Sequence, residues 1–283
     1  MLFKYFYNHL SFFRRLSQIM ALIFIFAVPW LNRNGFHQIL GTYYSMSIGP
    51  IDIVDPALLI QSILLTKQFY ITLIFAAILP VLIALVFGRV FCSWACPFNF
   101  FVELIEKIGF FARKRIKKNV NPKPLYYWIS PLVFLLFILI FNTPIITFFS
   151  MPGLISSQVG QAIFFGSIGF ELTFVLIIIG LEIIIARKFW CKYICPVGAI
   201  LALCRTRRTL TVQFTPQKCI RSSQNPPPCQ SACPLHLNPR SKGIHPYCYN
   251  CGKCISACQK HGNALNFSFQ NKKQINLKEI INR

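Results

Sequence analysis

Acidic residues are scarce: seven Asp and Glu stand against 29 Lys and Arg in 283 residues, and charged residues of both signs together make up only 13%. Soluble domains carry about a quarter charged residues. With 55% hydrophobic residues and a mean hydropathy of +0.54, this composition excludes an ordinary soluble domain and implies a chain seated in lipid. There is no Cys-x2-Cys-His motif, and none of the five histidines falls within an apolar stretch. Haem attachment and haem ligation inside a membrane are thereby disfavoured. Also missing is a small-residue cleavage site after the first apolar segment, which runs into Asn32, Arg33 and Asn34. That segment reads as a retained anchor and not as a cleaved signal peptide.

Four apolar stretches, residues 16–31, 69–87, 127–149 and 168–186, approach or exceed the length that crosses about 30 Å of hydrocarbon at helical rise. The first is the shortest and contains Pro29. Lys and Arg number 3 before the first stretch, 2 in residues 32–68, 8 in residues 88–126, none in residues 150–166 and 16 from residue 187 onward. Basic residues collect on the cytoplasmic side of membrane proteins. The alternation therefore puts both termini in the cytoplasm, with the central loop and its run Arg113, Lys114, Arg115, Lys117 and Lys118. The net charge of +22 is read as this topology signal plus attraction to anionic lipid, not as a nucleic-acid site. A shorter apolar segment, Ala57 to Leu65, follows Asp55 and Pro56, a cap and first-turn pair. Too short to cross, it is expected to lie along the outer interface.

Two of the stretches end in nearly the same words. Arg89-Val90-Phe91-Cys92-Ser93-Trp94-Ala95-Cys96-Pro97 follows the second, and Lys188-Phe189-Trp190-Cys191-Lys192-Tyr193-Ile194-Cys195-Pro196 follows the fourth. Both read basic, two residues, Cys-x3-Cys-Pro. Each unit goes out and returns, so the halves share a direction and an axis along the membrane normal would bring the motifs together. Cysteines four apart share one helical face, and the proline suits a break or a new helix start. Three readings remain open for Cys92, Cys96, Cys191 and Cys195: small buried residues, redox-active thiols, or ligands to a metal or cluster.

The most specific signal is Cys248-Tyr249-Asn250-Cys251-Gly252-Lys253-Cys254-Ile255-Ser256-Ala257-Cys258. In this Cys-x2-Cys-x2-Cys-x3-Cys run three thiolates wrap one cubane cluster and the fourth reaches across to a second. Zinc is the plainer alternative. The upstream partner set is Cys219 and then Cys229-Gln230-Ser231-Ala232-Cys233-Pro234, interrupted by Pro226, Pro227 and Pro228. By crossing over, Cys233 would join Cys248, Cys251 and Cys254, while Cys258 would join Cys219 and Cys229. The first set suits a [4Fe-4S] cluster. The second is one thiolate short, so it is either [3Fe-4S] or a [4Fe-4S] completed by Cys204, His236 or a non-protein group. All twelve cysteines fall on the side the charge count assigns to the reducing cytosol, which argues against structural disulfides.

Together, the four stretches, the Gly88-Arg89-Val90-Phe91-Cys92 lead, the Trp190-Cys191 lead into Cys195-Pro196-Val197-Gly198-Ala199, and the ferredoxin module resemble the NapH family over nearly the whole chain. NapH proteins are membrane quinol dehydrogenase subunits of periplasmic nitrate reductase systems. Related membrane proteins of nitrous oxide and methylamine systems look similar. The chain departs from that pattern in its interrupted first cysteine run and in Gln259, which replaces a proline after Cys258. The resemblance implies a multi-pass protein of the bacterial inner membrane that oxidises quinol from the quinone pool. It also implies delivery of the electrons through iron-sulfur clusters to an iron-sulfur or cytochrome partner subunit.

A quinol site needs a proton acceptor near the lipid tails. Asp52, Glu171 and Glu182 are the candidates, with Asp55 read as a helix cap, Glu103 and Glu106 following the first thiol motif, and Glu279 in the tail. The expected fold is an all-α membrane domain of four transmembrane helices over residues 1–204, plus a small α+β ferredoxin-like domain over residues 205–283. The competing function is an assembly or metal-handling factor for a copper or respiratory enzyme, with Cys92, Cys96, Cys191 and Cys195 as its working site.

Overall fold

Helix ends in this chain are set by recognisable breakers, as a computed structural model shows for residues 10–108, 125–185, 188–206, 208–220, 226–240, 247–259 and 261–269. The basic run at Arg113 to Lys118, and Glu279, lie outside the described residues. In chain order come α1 (Leu10–Arg33), a meander of β1 (Ile39–Gly41), β2 (Ser45–Ile48) and β3 (Ile51–Val54), then α2 (Pro56–Thr66) and α3 (Ile71–Phe87). Next are α4 (Val90–Trp94), α5 (Pro97–Ile108), α6 (Leu125–Phe141), α7 (Ile145–Phe149), α8 (Met151–Phe165) and α9 (Phe170–Ile185). A π turn over Trp190–Ile194 leads to α10 (Pro196–Leu203), β4 (Leu210–Phe214), α11 (Pro228–Ser231), α12 (Lys253–Gln259) and β5 (Leu265–Phe269).

Among the described residues, α1 is the one helix long and apolar enough to cross a membrane. It has 24 residues, about 36 Å at 1.5 Å per residue. The apolar helices α3 and α6 have 17 residues each, and α9 has 16. The third apolar stretch, read from the sequence as continuous over 127–149, is broken. Asn142 takes a left-handed backbone with φ 50°, its N–H returns to the Ile138 carbonyl, and Pro144 cannot continue the ladder. The chain resumes as the short α7.

A second difference concerns α2. The Asp55 cap is as the sequence reading has it, with Oδ1 accepting from the Ala57 N–H and Pro56 in the first turn. Nothing in the sequence announces the packing around it, however. It packs against α3, α6 and α10, with Ala57 in one core with Ala84, Phe134, Ile138, Val197 and Leu201. A helix apolar on all sides is stable only when surrounded. Its buried Gln61 is satisfied, because Oε1 accepts from the Thr147 N–H at the start of α7.

The meander between α1 and α2 carries no strong sequence signal. It pairs antiparallel in the registers Ile39↔Ile48 and Ser45↔Val54. Gly41 sits at φ 113°, where a Cβ would lie 2.1 Å from the Ser45 carbonyl oxygen. The turn drives Tyr43 and Tyr44 inward. The Tyr44 hydroxyl donates to the Thr147 carbonyl at 2.6 Å, its own carbonyl accepts from the Asp55 N–H at 3.0 Å, and its ring fills the space beside Gly153. In the tail, β4 and β5 pair antiparallel from Leu210↔Phe269 to Phe214↔Leu265 and cover α12.

Candidate metal centre

The cysteine run 248–258 is shaped by two left-handed residues. Asn250, at φ 52°, sends both amide hydrogens away from the run, to the carbonyls of Phe87 and Leu210, each at 2.8 Å. Gly252, at φ 73°, passes so close to α1 that a Cβ would lie 2.0 Å from Leu10 Cδ2. Between these anchors the chain curls around a pocket whose lining includes Cys233, Cys248, Cys251 and Cys254 among apolar neighbours such as Val212, Leu235 and Leu237. The Leu237 N–H donates to Cys233 Sγ at 3.4 Å. Cys229 and Cys258 are buried beside Ile255 and Leu265, with Cys219 packed against that group. Arg240 Nε donates to Cys229 Sγ at 3.3 Å.

These thiols ring a space and do not converge on a point. Among the described residues, no group of three His, Cys, Asp or Glu could hold a single ion. Burial pushes the Cys233 thiol up to about 12 and Cys248 to about 11. At neutral pH such groups stay protonated unless a cation such as iron draws out the thiolate.

The paired Cys-x3-Cys-Pro motifs fold alike. The N–H of Cys96 bonds to the Phe91 carbonyl and that of Cys195 to the Trp190 carbonyl, the same five-residue step in each copy, at 3.0 and 2.9 Å. Pro97 and Pro196 then start α5 and α10. Cys96 is buried with Phe98, Met151 and Trp190, with Cys191 and Cys195 packed on that core. Cys92 and Cys195 flank the adjoining core around Ala57 and Val197. All four thiols therefore sit at one junction. Burial pushes Cys195 up to about 12 and raises Cys191 well above its ordinary value.

The basic residue ahead of each motif crosses to the other half. Arg89 Nη2 donates to the Cys191 carbonyl at 3.1 Å, and Lys188 Nζ donates to Asn99 Oδ1 at 2.9 Å. Asn99 stands three residues after Cys96. Gly198 stands three after Cys195, and a Cβ there would lie 2.4 Å from Arg89 Nη2.

One carboxylate, which the sequence reading noted without giving it a role, ties these parts to the tail. Glu103 on α5 is 1% exposed and meets Arg14, Arg15 at 3.0 Å, Lys188 at 3.2 Å and Lys253 at 3.1 Å. Burial alone would raise its pKa, but Lys188, Arg14 and Lys253 outweigh it and hold the carboxyl far below the usual range. Lys253 lies between Cys251 and Cys254, so the hub joins α1, both thiol motifs and the cluster loop. Ser93 Oγ adds a bond of 2.8 Å to the Tyr249 carbonyl.

Comparison with known proteins agrees with this picture. The 4Fe-4S binding domain family matches residues 69–119 and 168–210, each segment holding one apolar helix and one Cys-x3-Cys-Pro motif. The ferredoxin-type protein NapH of Escherichia coli K12 is 27% identical over 265 residues, covering 87% of this chain and 85% of that protein. NapH of Haemophilus influenzae is 26% identical over 282 residues, covering 89% and 87%. The chain is thus similar to the NapH ferredoxin-type proteins over most of its length. The methylamine utilization ferredoxin-type protein MauN of Methylorubrum extorquens is 28% identical over 199 residues, 67% of this chain and 63% of that one. No solved structure matches. The NapH-like chain is accordingly an iron-sulfur protein with an electron-transfer role.

Two of the carboxylates singled out in the sequence, Glu182 and Glu171, have structural partners. Glu182 accepts from the backbone N–H groups of Phe189 and Trp190, fixing the turn that carries Cys191. Glu171 accepts from Gln158 Nε2 at 2.9 Å. Asp52 is exposed in β3 opposite Ser47. Cys204 caps α10 and packs on the core around Leu201, in a different core from Cys219, Cys229 and Cys258. His236 takes a left-handed φ of 51° in the loop after Cys233.

Proposed function

We propose that this protein is a multi-pass subunit of the bacterial inner membrane that takes electrons from quinol and passes them to an iron-sulfur or cytochrome partner of a periplasmic reductase system. The carrying observation is that the cavity lined by Cys233, Cys248, Cys251 and Cys254 sits directly on the end of the apolar helices, tied there by Asn250, Ser93 and Glu103. Exposed large apolar residues run along α1, α3, α6 and α9, among them Met20, Phe26, Phe75, Leu82, Leu132, Ile140, Ile177 and Ile184. A band of that extent favours lipid contact, and the charge count favours cytoplasmic termini. The division into a four-helix membrane domain over 1–204 and a ferredoxin-like domain over 205–283 follows from the same reading.

Bound at these thiols, an iron-sulfur cluster supplies a one-electron carrier. The chain's own contribution is to hold the thiols, to exclude water with Val212, Leu235 and Leu237, and to set the local field with buried Arg89 and Lys188. Cys219, Cys229 and Cys258 form the second ligand set, of [3Fe-4S] type or a [4Fe-4S] with one further ligand. Oxidising quinol to quinone releases two electrons, taken onward singly to the partner, and two protons, released to water. The test is anaerobic mixing of the loaded full-length protein with a reduced quinol analogue, followed by electron paramagnetic resonance. Reduced-cluster signals should appear within the turnover time of the chain. A silent spectrum from protein whose clusters dithionite does reduce would refute the quinol role and favour the assembly or metal-handling factor.

A further inference from the structure

Arg89 stands three residues ahead of Cys92, as Lys188 stands ahead of Cys191, but its side chain reaches further. It is 3% exposed. Nη2 donates to the Cys191 carbonyl at 3.1 Å, Nη1 donates to the Tyr247 carbonyl at 3.4 Å, and the guanidinium acts electrostatically on Cys92. Its flat face lies over the Tyr127 ring, with Cζ 5.1 Å from the centroid. The rings of Tyr127 and Tyr247 meet edge to face at 5.2 Å. Tyr247 is the residue before Cys248, one of the cavity thiols. A single fixed cation thus acts on a thiol of the first motif, holds the backbone of the second, and holds the backbone just ahead of Cys248. Gly198 makes the room, since a Cβ there would collide with Nη2 at 2.4 Å.

We propose that Arg89 is the positioning residue of the electron path: it fixes the four motif thiols against the cavity and raises the reduction potential of the cluster held by Cys233, Cys248, Cys251 and Cys254. The inference rests on the iron-sulfur reading above. Reduction adds one electron and no proton, so the cluster gains a negative charge. A buried cation nearby stabilises that form, because the surrounding apolar medium screens it weakly. Charge and hydrogen bonding around ligand sulfurs are the protein's means of moving a cluster potential. Lysine would keep the charge and lose the fork that reaches three partners at once.

The experiment is a potentiometric titration with dithionite, read by electron paramagnetic resonance, on the full chain in detergent, comparing the wild type with Arg89→Gln, Arg89→Lys and Gly198→Ala. In Arg89→Gln the reduction equilibrium should move about tenfold toward the oxidised form, about 59 mV for one electron. Arg89→Lys should move less. Gly198→Ala keeps every cysteine and every charge, displaces only Nη2, and should shift in the same direction. Potentials unchanged in Arg89→Gln overturn the role of Arg89. Where that variant fails to retain iron, unchanged potentials in both of the others do so. Iron and acid-labile sulfide in the wild type separate the two readings: a wild type without them sinks the iron-sulfur function itself, whereas a loaded wild type with unshifted variants sinks only this inference.

Discussion

Replacing Glu103 by Gln removes the anion at the centre of four cations and leaves Lys188 the more distant Glu106 carboxylate at 3.8 Å. Arg14 and Lys188 are 1% and 0% exposed at their side chains, so neither can turn to water. Breaking a fully buried ion pair from one side costs about 3–5 kcal/mol, because a charge is left uncompensated in the interior. Arg15 and Lys253 are 24% and 29% exposed. Their share is that of partly hydrated pairs, about 0.2–1 kcal/mol each. Asn99, which already bonds both Lys188 and Glu103, can keep some of the Lys188 contact. The expected loss is therefore about 3–5 kcal/mol, dominated by Arg14 and Lys188. Thermal unfolding of the detergent-solubilised protein should show a fall of several degrees at least. Glu103→Asp, which keeps the charge on a shorter stem, should recover part of it. The sign of the pH dependence follows from the depressed pKa. The stabilisation is complete above the ordinary glutamate value of about 4.3 and fades as pH falls from there toward the folded value. A Glu103→Gln protein within about 1 kcal/mol of the wild type at pH 7, or one whose deficit is the same at pH 3.5, would refute the reasoning.

The cavity thiols make a cleaner chemical prediction: Cys233→Ser should lose the cluster shared with Cys248, Cys251 and Cys254, whereas Cys204→Ser should leave iron and acid-labile sulfide at the wild-type level. Gly252→Ala places a Cβ against Leu10 at a φ of 73°. A strained backbone of this kind costs about 1–3 kcal/mol, and the variant should release iron to a chelator faster than the wild type does.

What could be read from the sequence is what depends on short spacing. Cysteines two or three residues apart have little choice but to face one cavity, and Cys233 lines the same one. Proline directly after Cys96 and Cys195 likewise announces the start of α5 and α10. The features that escaped are long-range or depend on neighbours. Glu103 finds Arg14 89 positions away and Lys253 150 positions away, and no spacing rule links them. The outer meander has only 3 or 4 residues per strand and is held by Tyr43 and Tyr44 reaching into distant helices. Length and hydropathy alone say nothing of what α2 packs against. Its fate was decided by the space between α3, α6 and α10 and by a partner for Gln61.

The basic excess takes on a second meaning in this light. Topology accounts for cations in loops, but Arg14, Arg89, Lys188 and Lys192 are buried in the chain. A lone buried cation is costly, and with seven acids in the sequence the carboxylates are too few to answer all of these charges. The remaining source of negative charge at this junction is sulfur. Cys92, Cys191 and Cys195 act electrostatically on Arg89, and Cys251 acts on Arg14 and Lys253. Burial raises the pKa of the Cys92, Cys191 and Cys195 thiols, whereas a thiolate bound to iron is an anion. On the proposed iron-sulfur reading, loading the tail thiols with iron would answer part of this charge and so stabilise the docking of the tail on the helices.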